Sequence, residues 1–227
     1  MNSHLNCVNC SSFEHSLFKC ASEESIQDLV DKKNNFSFKK KSYLYKEGNK
    51  VEGFYCLTKG LVRTFRVSNS GREQTFSIKK SGSWVGFKDV YSSETYSSNA
   101  ISLEDSEACF IPKKSIEELL EKDNNFQKFI IRYLSNEWKK AETKLFTIGA
   151  KQIHQRLADF LIHFHNPHTR EVEFKISRED LASIIGSKSE TLIRALSDFK
   201  KRSWIELNNN KIKILDINAL LSLTNIT

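Results

Sequence analysis

The sequence predicts an α+β fold: an N-terminal antiparallel β-roll, then a long helix, then a C-terminal winged helix-turn-helix. Three observations carry this prediction. Residues 36–111 form short runs rich in Tyr, Phe, Val and Ser that glycines interrupt, as in antiparallel sheets. Residues 124–148 contain neither glycine nor proline and carry apolar residues at helical spacing. Residues 175–199 indicate two short helices joined at Gly186.

The composition limits the class of protein. The chain has 227 residues, of which 39% are hydrophobic and 28% are charged, and this suffices for two modest domains. No apolar run approaches the ~20 residues of a membrane span. The start of the chain, MNSHLNCVNCSS, lacks the basic and apolar parts of a secretion signal. We therefore expect a cytoplasmic protein with no membrane partner, and its net charge of +7 permits a polyanionic partner.

Changes in composition divide the chain into four segments. They are a cysteine-containing arm at 1–20, the β-roll at 21–115, the long-helix region at 116–148 and the helix-turn-helix domain at 149–227. A short helix is predicted at 21–33, and Gly149 marks a predicted hinge. Candidate strands of the roll cover residues 42–48, 53–60, 61–68, 73–80 and 107–112, with a hairpin turn at 69–71.

The predicted long helix carries a continuous apolar seam. Its members recur every three or four residues and are Phe126, Ile130, Leu134, Trp138, Ala141, Leu145 and Ile148. A long helix with such a seam, lying between two domains, is typical of a dimerisation helix, so we expect a homodimer. The alternative is that the seam packs only against the roll of its own chain.

The predicted helix-turn-helix has residues suited to DNA at the start of its second helix. Ser177 is a good N-cap for the first helix, and Asp180 follows three residues later. In such motifs the first residues of the second helix reach base edges in the major groove. The candidates here are Ser187, Lys188, Ser189, Glu190 and Arg194. The first three of them also offer an N-cap for the second helix.

Glu190 and Arg194 are suited to direct reading of bases. A glutamate accepts a hydrogen bond from cytosine N4, and an arginine donates two to guanine O6 and N7. Their i,i+4 spacing also lets the two side chains orient each other. The alternative is a solvent-exposed ion pair on an ordinary helical hairpin.

Positive charge collects at and after this second helix. Residues 187–202 carry a net charge of +3, whereas residues 1–30 carry −3. Side chains expected to contact phosphates are Arg178, Lys200, Lys201 and Arg202. Strands are predicted at 172–176 and on either side of the turn at 208–210, where they would form the wing, and a final helix is predicted at 217–224. The alternative for each basic residue is a solvated lysine-rich face.

The order of roll, long helix and winged helix-turn-helix resembles the Crp/Fnr superfamily of bacterial transcription regulators. The motifs that carry the likeness are YLYKEG, GFYCLTKG, GSWVGF, ACFIP and SREDLASIIGSKSETLIRALSDFKK. Glu190, Thr191 and Arg194 match the family's recognition helix, whose Glu and Arg read the core of each half of a palindrome. Ser189 and Ile193 depart from the pattern and leave the preferred DNA sequence open. The resemblance implies a cyclic-nucleotide-binding-like jelly roll, double-stranded DNA, RNA polymerase and a second subunit as partners.

The roll does not match the members of the family that bind a cyclic nucleotide. Those members use a Glu for the ribose and an Arg-Ser pair for the phosphate, since a buried phosphate needs a compensating cation. Here no arginine occurs between Arg72 and Arg132, and the corresponding stretch, residues 86–100, carries Lys88 and Asp89. We therefore expect no binding of cyclic AMP or cyclic GMP.

The five cysteines suggest another signal. The oxygen-sensing branch of the family, which the chain resembles more closely, holds a [4Fe–4S] cluster. The resemblance implies the ligands Cys7, Cys10, Cys20 and Cys109. Nine residues separate Cys20 from Cys10, more than the usual gap, so Cys56 is a substitute if its strand lies near that of Cys109. The alternatives are structural zinc, a redox-active dithiol, and buried small hydrophobic residues.

These observations predict a DNA-binding transcription regulator that responds to redox state or oxygen through its cysteines. One alternative is a regulator without a cluster that responds to thiol redox state or to a small molecule. Another is a metal-dependent enzyme built on the roll. No histidine occurs between His15 and His154, so the roll lacks the usual ligands, and we expect no enzyme.

Overall fold

The computed structural model describes residues 32–172, 176–208 and 211–224, and the chain divides into two compact units. The described part of the first unit comprises residues 32–66 and 76–139. The second unit comprises residues 67–75 and the described residues from 140 onward. The arm at 1–20, most of the helix predicted at 21–33 and the middle of the strand predicted at 172–176 lie outside the described residues.

The first unit contains an antiparallel roll, as predicted. One four-stranded sheet has the order β1-β8-β3-β6 and the other has the order β2-β7-β4-β5. The strands are β1 (Asn34–Phe38), β2 (Tyr43–Tyr45), β3 (Gly53–Lys59), β4 (Val62–Val67), β5 (Glu73–Lys79), β6 (Trp84–Val85), β7 (Asn99–Ser102) and β8 (Ser106–Pro112). The pattern of the sequence does not predict β1, β6 or β7, because they are short or polar.

Large apolar side chains fill the roll. Phe54 and Leu57 of β3, Trp84 of β6 and Ile111 of β8 are almost completely buried. The helices that the structure describes between residues 86 and 150 are α1 (Phe87–Ser92), α2 (Lys113–Lys122) and α3 (Asn124–Ala150), the last of which continues into the second unit. Ile116 of α2 joins the same core. Helix α2, which follows the last strand directly, therefore packs on the core of the roll.

The long helix α3 begins with a side-chain cap and divides its apolar residues between two directions. Asp123 Oδ1 accepts hydrogen bonds from the backbone N–H groups of Asn125 and Phe126, each at 3.0 Å. Phe126 and Ile130 are buried in the core of the roll. The predicted seam is therefore wrong in its first two members, because the roll already covers them.

Five exposed apolar residues of α3 recur at alternating spacings of three and four and form a seam. They are Ile131, Leu134, Trp138, Ala141 and Leu145, and Phe146 is a further exposed apolar residue beside them. Trp138 is 70% exposed and Leu145 is 74% exposed. Gly149 lies inside α3, which ends at Ala150, so the helix is not interrupted at the predicted hinge.

The second unit is a winged helix-turn-helix, as predicted. Its elements are α4 (Ile153–Phe164), α5 (Arg178–Ile185), α6 (Ser189–Lys201), β9 (Ile205–Asn208), β10 (Lys211–Ile214) and α7 (Ile217–Thr224). β9 and β10 pair antiparallel and form the wing. Leu157 and Leu161 of α4, Leu181 of α5, and Leu192 and Phe199 of α6 form its buried centre. None of the helices in the described ranges has the length and apolarity that crossing a bilayer requires.

Gly186, between α5 and α6, is in the left-handed conformation with φ of 68°. A Cβ at this position would meet Arg156 Nη1 at 3.2 Å and Ile148 Cγ1 at 3.4 Å. We expect Gly186→Ala to lower the free energy of unfolding of the second unit by about 1–2 kcal/mol, because L-residues are strained in this conformation. Equilibrium urea unfolding measures the change.

The matched control is Gly149→Ala, because Gly149 is helical and a Cβ there meets nothing within 4 Å. This variant should be more stable than the natural protein by about 0.5–1 kcal/mol. Equal stability of Gly186→Ala and the natural protein would contradict the conformation of the turn.

Candidate nucleic-acid interface

The turn between α5 and α6 is fixed at both ends of α5. Ser177 Oγ accepts a hydrogen bond from the backbone N–H of Asp180 at 3.0 Å, which confirms the predicted N-cap. At the other end, Arg156 Nη1 donates to Gly186 O at 3.1 Å, and Lys144 Nζ donates to Ile184 O. Cations at the last carbonyls of a helix stabilise its negative end.

Both of these cations are partly withdrawn from water. Burial lowers the pKa of Lys144, and the nearby charge of Arg156 lowers it further. Burial likewise lowers the pKa of Arg156. Their cost in desolvation is offset by the carbonyl groups that they satisfy. The start of α6 is thereby held in a defined place.

Helix α6 has a buried face and an exposed face. Leu192, Ala195, Leu196 and Phe199 point into the unit. The exposed face presents Glu190, Thr191, Ile193, Arg194, Ser197, Lys200 and Lys201. A charged and polar face on a helix whose other face is firmly packed is the arrangement that enters a DNA groove.

The candidate base-reading residues are not equally placed. Glu190, Thr191 and Arg194 are exposed and Ser189 is half-buried, whereas Ser187 is buried and its hydroxyl donates to Lys188 O at 3.1 Å. The N-cap of α6 is Lys188, one of the three residues predicted to provide the second cap, but its side chain makes no capping hydrogen bond. Ile193, 52% exposed, adds an apolar group to this face.

The predicted pairing of Glu190 with Arg194 is absent. Within residues 32–172, 176–208 and 211–224, neither side chain forms an ion pair. Both therefore remain available to a partner outside the chain. The physical reason is that an exposed i,i+4 pair gains only a few tenths of a kcal/mol.

The basic residues divide into paired and unpaired groups. Lys188, Lys200 and Lys201 are exposed and have no ion-pair partner in the described part of the chain. Arg202 instead contacts Asp198, with 3.3 Å between Nε and Oδ2, and its guanidinium lies over the ring of Trp204. Its role is therefore at least partly structural.

Arg178 opens α5 and is half-buried. Burial lowers its pKa, and its Nη1 atom is buried without a hydrogen-bond partner among the described residues. An arginine that keeps a bonding group unsatisfied at the start of a helix is suited to an anion.

The roll contains a buried acidic group that the sequence pattern does not reveal. Asp89 of α1 is only 1% exposed. Its Oδ1 accepts a hydrogen bond from Ser97 Oγ at 2.7 Å and lies 3.2 Å from Lys88 Nζ, while Oδ2 has no hydrogen-bond partner in the described residues. The charge of Asp89, after burial itself, raises the pKa of Tyr45.

This cluster lies in residues 86–100, where the resemblance puts the phosphate of a cyclic nucleotide. A second buried anion would be repelled by Asp89, and the nearby Lys88 already contacts that carboxylate. This stretch therefore places a buried carboxylate where the cyclic-nucleotide-binding members place a compensating cation.

Two of the five cysteines lie in the described residues, and they are neighbours. Cys56 of β3 is directly opposite Cys109 of β8, which confirms that their strands are adjacent. Cys109 is also opposite Asn35 of β1, and its Sγ donates to Asn35 Oδ1 at 3.2 Å. The other cysteines, Cys7, Cys10 and Cys20, lie outside the described residues. Within the described ranges, no group of three or more His, Cys, Asp or Glu side chains is arranged for a metal ion.

Several of these residues could not be found from the sequence. Lys144 and Arg156 act on carbonyls far along the chain, and Asn35 meets Cys109 only through strand pairing. Asp89 follows Gly86, whose left-handed conformation at the start of α1 is a weak signal of a special turn. Its burial has no signature in the sequence.

The two units match two families of domains. Residues 35–123 match the cyclic nucleotide-binding domain, and residues 155–223 match the Crp-like helix-turn-helix domain. A regulator of the Crp/Fnr family from Eubacterium rectale has the same fold, with a TM-score of 0.78 at 20% identity over 92% of this chain and 97% of its own. FixK2 from Bradyrhizobium japonicum gives a TM-score of 0.76 at 22% identity over 86% and 98%.

Relatives of known name are similar along nearly the whole chain. The anaerobic regulatory protein of Haemophilus influenzae is 26% identical over 229 residues, which cover 97% of this chain and 88% of the relative. The fumarate and nitrate reduction regulatory protein of Escherichia coli K12 is 25% identical over 223 residues, covering 96% and 86%. With both domains in the family's order, the chain belongs to the Crp/Fnr superfamily of DNA-binding transcription regulators, and not to an enzyme family.

Proposed function

We propose that this regulator acts as a homodimer that reads DNA with the exposed face of α6 and responds to oxygen or thiol redox state through its cysteines. The proposal that the protein reads DNA rests on one observation, the exposed polar face of α6. Glu190, Ile193 and Arg194 are exposed on it, while the opposite face is buried.

Each of these three side chains has a base that it suits. Glu190 accepts from cytosine N4, and Arg194 donates to guanine O6 and N7. Ile193 is apolar and exposed, so it suits the methyl group of thymine. Thr191 and Ser189 are short side chains at the same end of α6 and complete the contact with bases or the nearby backbone.

The basic residues around this face suit the DNA backbone. Lys188, Lys200 and Lys201 are exposed and have no ion-pair partner within the described residues. Arg178 contributes a partly buried guanidinium at the start of α5. These contacts fix the position of the protein and supply affinity that depends on salt but not on base sequence.

The seam of α3 supports a dimer. A helix that exposes Ile131, Leu134, Trp138, Ala141 and Leu145 at spacings of three and four has the pattern of a two-stranded coiled coil. Two copies of the chain would then present two copies of α6 to the halves of a palindrome. A dimer of this kind in the cytoplasm, next to RNA polymerase on a promoter, is the working arrangement that we propose.

The cysteines support a redox or oxygen signal. Cys109 is a half-buried thiol on β8, and thiolates are the donors that iron–sulfur clusters need. Cys7, Cys10 and Cys20 would hold a [4Fe–4S] cluster together with Cys109. When bound, such a cluster supplies chemistry that is sensitive to oxygen. The names of the relatives from Haemophilus influenzae and Escherichia coli agree with a signal of this kind.

The reading of bases by α6 can be tested by substitution of Arg194. We expect Arg194→Ala to reduce the discrimination between the natural site and a site with a changed guanine by about 1–3 kcal/mol, because a bidentate contact is lost. Lys201→Ala is the matched comparison. It should weaken binding to both sites alike and lower the slope of log K against log salt by about 1 per protomer.

Fluorescence anisotropy with DNA from the protein's own upstream region measures both effects at several salt concentrations. Unchanged site preference in Arg194→Ala would contradict the register of α6 on DNA.

The seam of α3 can be tested by placing a charge on it. Trp138→Glu and Leu145→Glu should each turn a dimer into a monomer, because a charge would be buried in the interface. The matched control is Asn136→Glu, which adds the same charge at an exposed position off the seam. Light scattering after size exclusion measures the mass, and a dimer that survives both seam variants would refute this interface.

The proposed cluster can be tested by analysis of anaerobically purified protein. Protein purified without oxygen should contain iron and sulfide and absorb near 400 nm, and either Cys20→Ser or Cys109→Ser should abolish all three signals. Cys56→Ala should retain them. Loss of iron in Cys56→Ala but not in Cys20→Ser would make Cys56 the ligand instead. Colourless, iron-free natural protein that still binds its promoter would leave the regulator without a cluster.

A further inference from the structure

Four residues form one row across the first sheet of the roll. Asn35 of β1 is opposite Cys109 of β8, Cys109 is opposite Cys56 of β3, and Cys56 is opposite Trp84 of β6. Directly opposite residues of an antiparallel pair project from the same face of a sheet. The two thiols are therefore side by side on one face, at positions fixed by the pairing of two central strands.

This placement meets the geometric requirement of a disulfide. The Cα atoms of directly opposite residues are about 4.5–5.5 Å apart, and disulfides span Cα separations of about 4.4–6.8 Å. The Cβ atoms of such pairs are about 4.5–5.5 Å apart, whereas a disulfide brings them to about 3.5–4.5 Å. The strands must close locally by roughly 1 Å, and a bond that pulls strands together is easier to reduce than a relaxed one.

We propose that Cys56 and Cys109 are a modification site, at which a reversible disulfide forms across β3 and β8 by exchange with a low-molecular-weight disulfide such as oxidised glutathione. Disulfides in cytosolic proteins are usually transient and act in catalysis or redox sensing. The pair requires no metal. It is also incompatible with ligation of a cluster by Cys109, because one sulfur cannot serve both.

The order of the exchange follows from exposure. Cys109 is half-buried and Cys56 is only 7% exposed, so Cys109 meets the oxidant first. The Cys109 thiolate attacks one sulfur of oxidised glutathione, and one glutathione leaves as its thiolate. The Cys56 thiolate then attacks the Cys109 sulfur, and the second glutathione leaves. The two cysteines lose two protons and two electrons in total, and the glutathione disulfide takes up both.

Oxidation has two structural consequences beside the new bond. The Cys109 S–H donates to Asn35 Oδ1, and a disulfide has no such proton, so this link to β1 is lost. Cys56 also lies beside the aromatic group formed by Trp84 and Tyr133 of α3, whose rings are 5.5 Å apart. Burial is the main cause of the raised pKa of Tyr133, and the neighbouring Glu137 and Cys56 add smaller contributions. The pair thus borders the helix that carries the exposed seam.

Disulfide mapping on the full-length protein tests the proposal. Reduced, iron-free protein is treated with oxidised glutathione without air, remaining thiols are alkylated, and peptides are analysed by mass spectrometry. We expect a peptide containing Cys56 linked to one containing Cys109, with the mass of two hydrogen atoms lost. The variant with Cys7, Cys10 and Cys20 replaced by serine should form the same link, so its titratable thiols should fall to none.

The matched control is Cys56→Ala, in which glutathione should accumulate on Cys109 because the second exchange cannot occur. A link from Cys109 to Cys7, Cys10 or Cys20, with Cys56 still alkylated, would overturn the proposal, and so would the absence of any link at Cys56.

Measurement of the iron content distinguishes failure of the disulfide proposal from failure of the cluster proposal. Natural protein that contains no iron after anaerobic purification, yet forms the link, would refute the cluster alone. Protein that contains iron as purified, but forms no link once the iron has been removed, would refute the disulfide alone.

Discussion

The turn at Gly186 is the constraint on which DNA reading by this protein depends. Helix α6 can expose Glu190 and Arg194 only if its opposite face is packed, and the angle at which it leaves α5 is set by one residue in the left-handed conformation. Two partly buried cations, Lys144 and Arg156, hold the carbonyl groups at that point. These two partly buried cations thus help to orient the exposed, charged face of α6.

The long helix α3 divides its apolar residues between the core of the roll and an exposed seam. Its first turns bury Phe126 and Ile130 in the roll, and its exposed seam begins at Ile131. Cys56 and Cys109 lie on the sheet whose Trp84 packs near Tyr133 of the same helix. The proposed disulfide would therefore form on the sheet that packs against the helix proposed to carry the subunit interface.

Periodicity in the sequence is enough to predict the architecture, the turn at Gly186 and the buried face of α6, because these depend on neighbours within a few residues. It is not enough to decide which apolar residues of α3 the roll would cover, since Ile130 and Ile131 are equally apolar. The opposition of Cys56 and Cys109 depends on strand register, which arises from pairing between distant segments. The burial of Asp89 likewise reflects tertiary packing and contradicts the usual behaviour of a carboxylate.

Photo-crosslinking from position 193 tests most directly whether the exposed face of α6 reads DNA. Ile193 is exposed between Glu190 and Arg194. A photoreactive amino acid can therefore replace it without disturbing the core, and on irradiation it crosslinks to whichever part of the DNA it contacts. If the exposed faces of two α6 helices read DNA in a dimer, crosslinks to bases in the major groove are expected at two symmetric positions of one operator. Crosslinks confined to the sugar-phosphate backbone, or scattered without symmetry, would contradict this expectation.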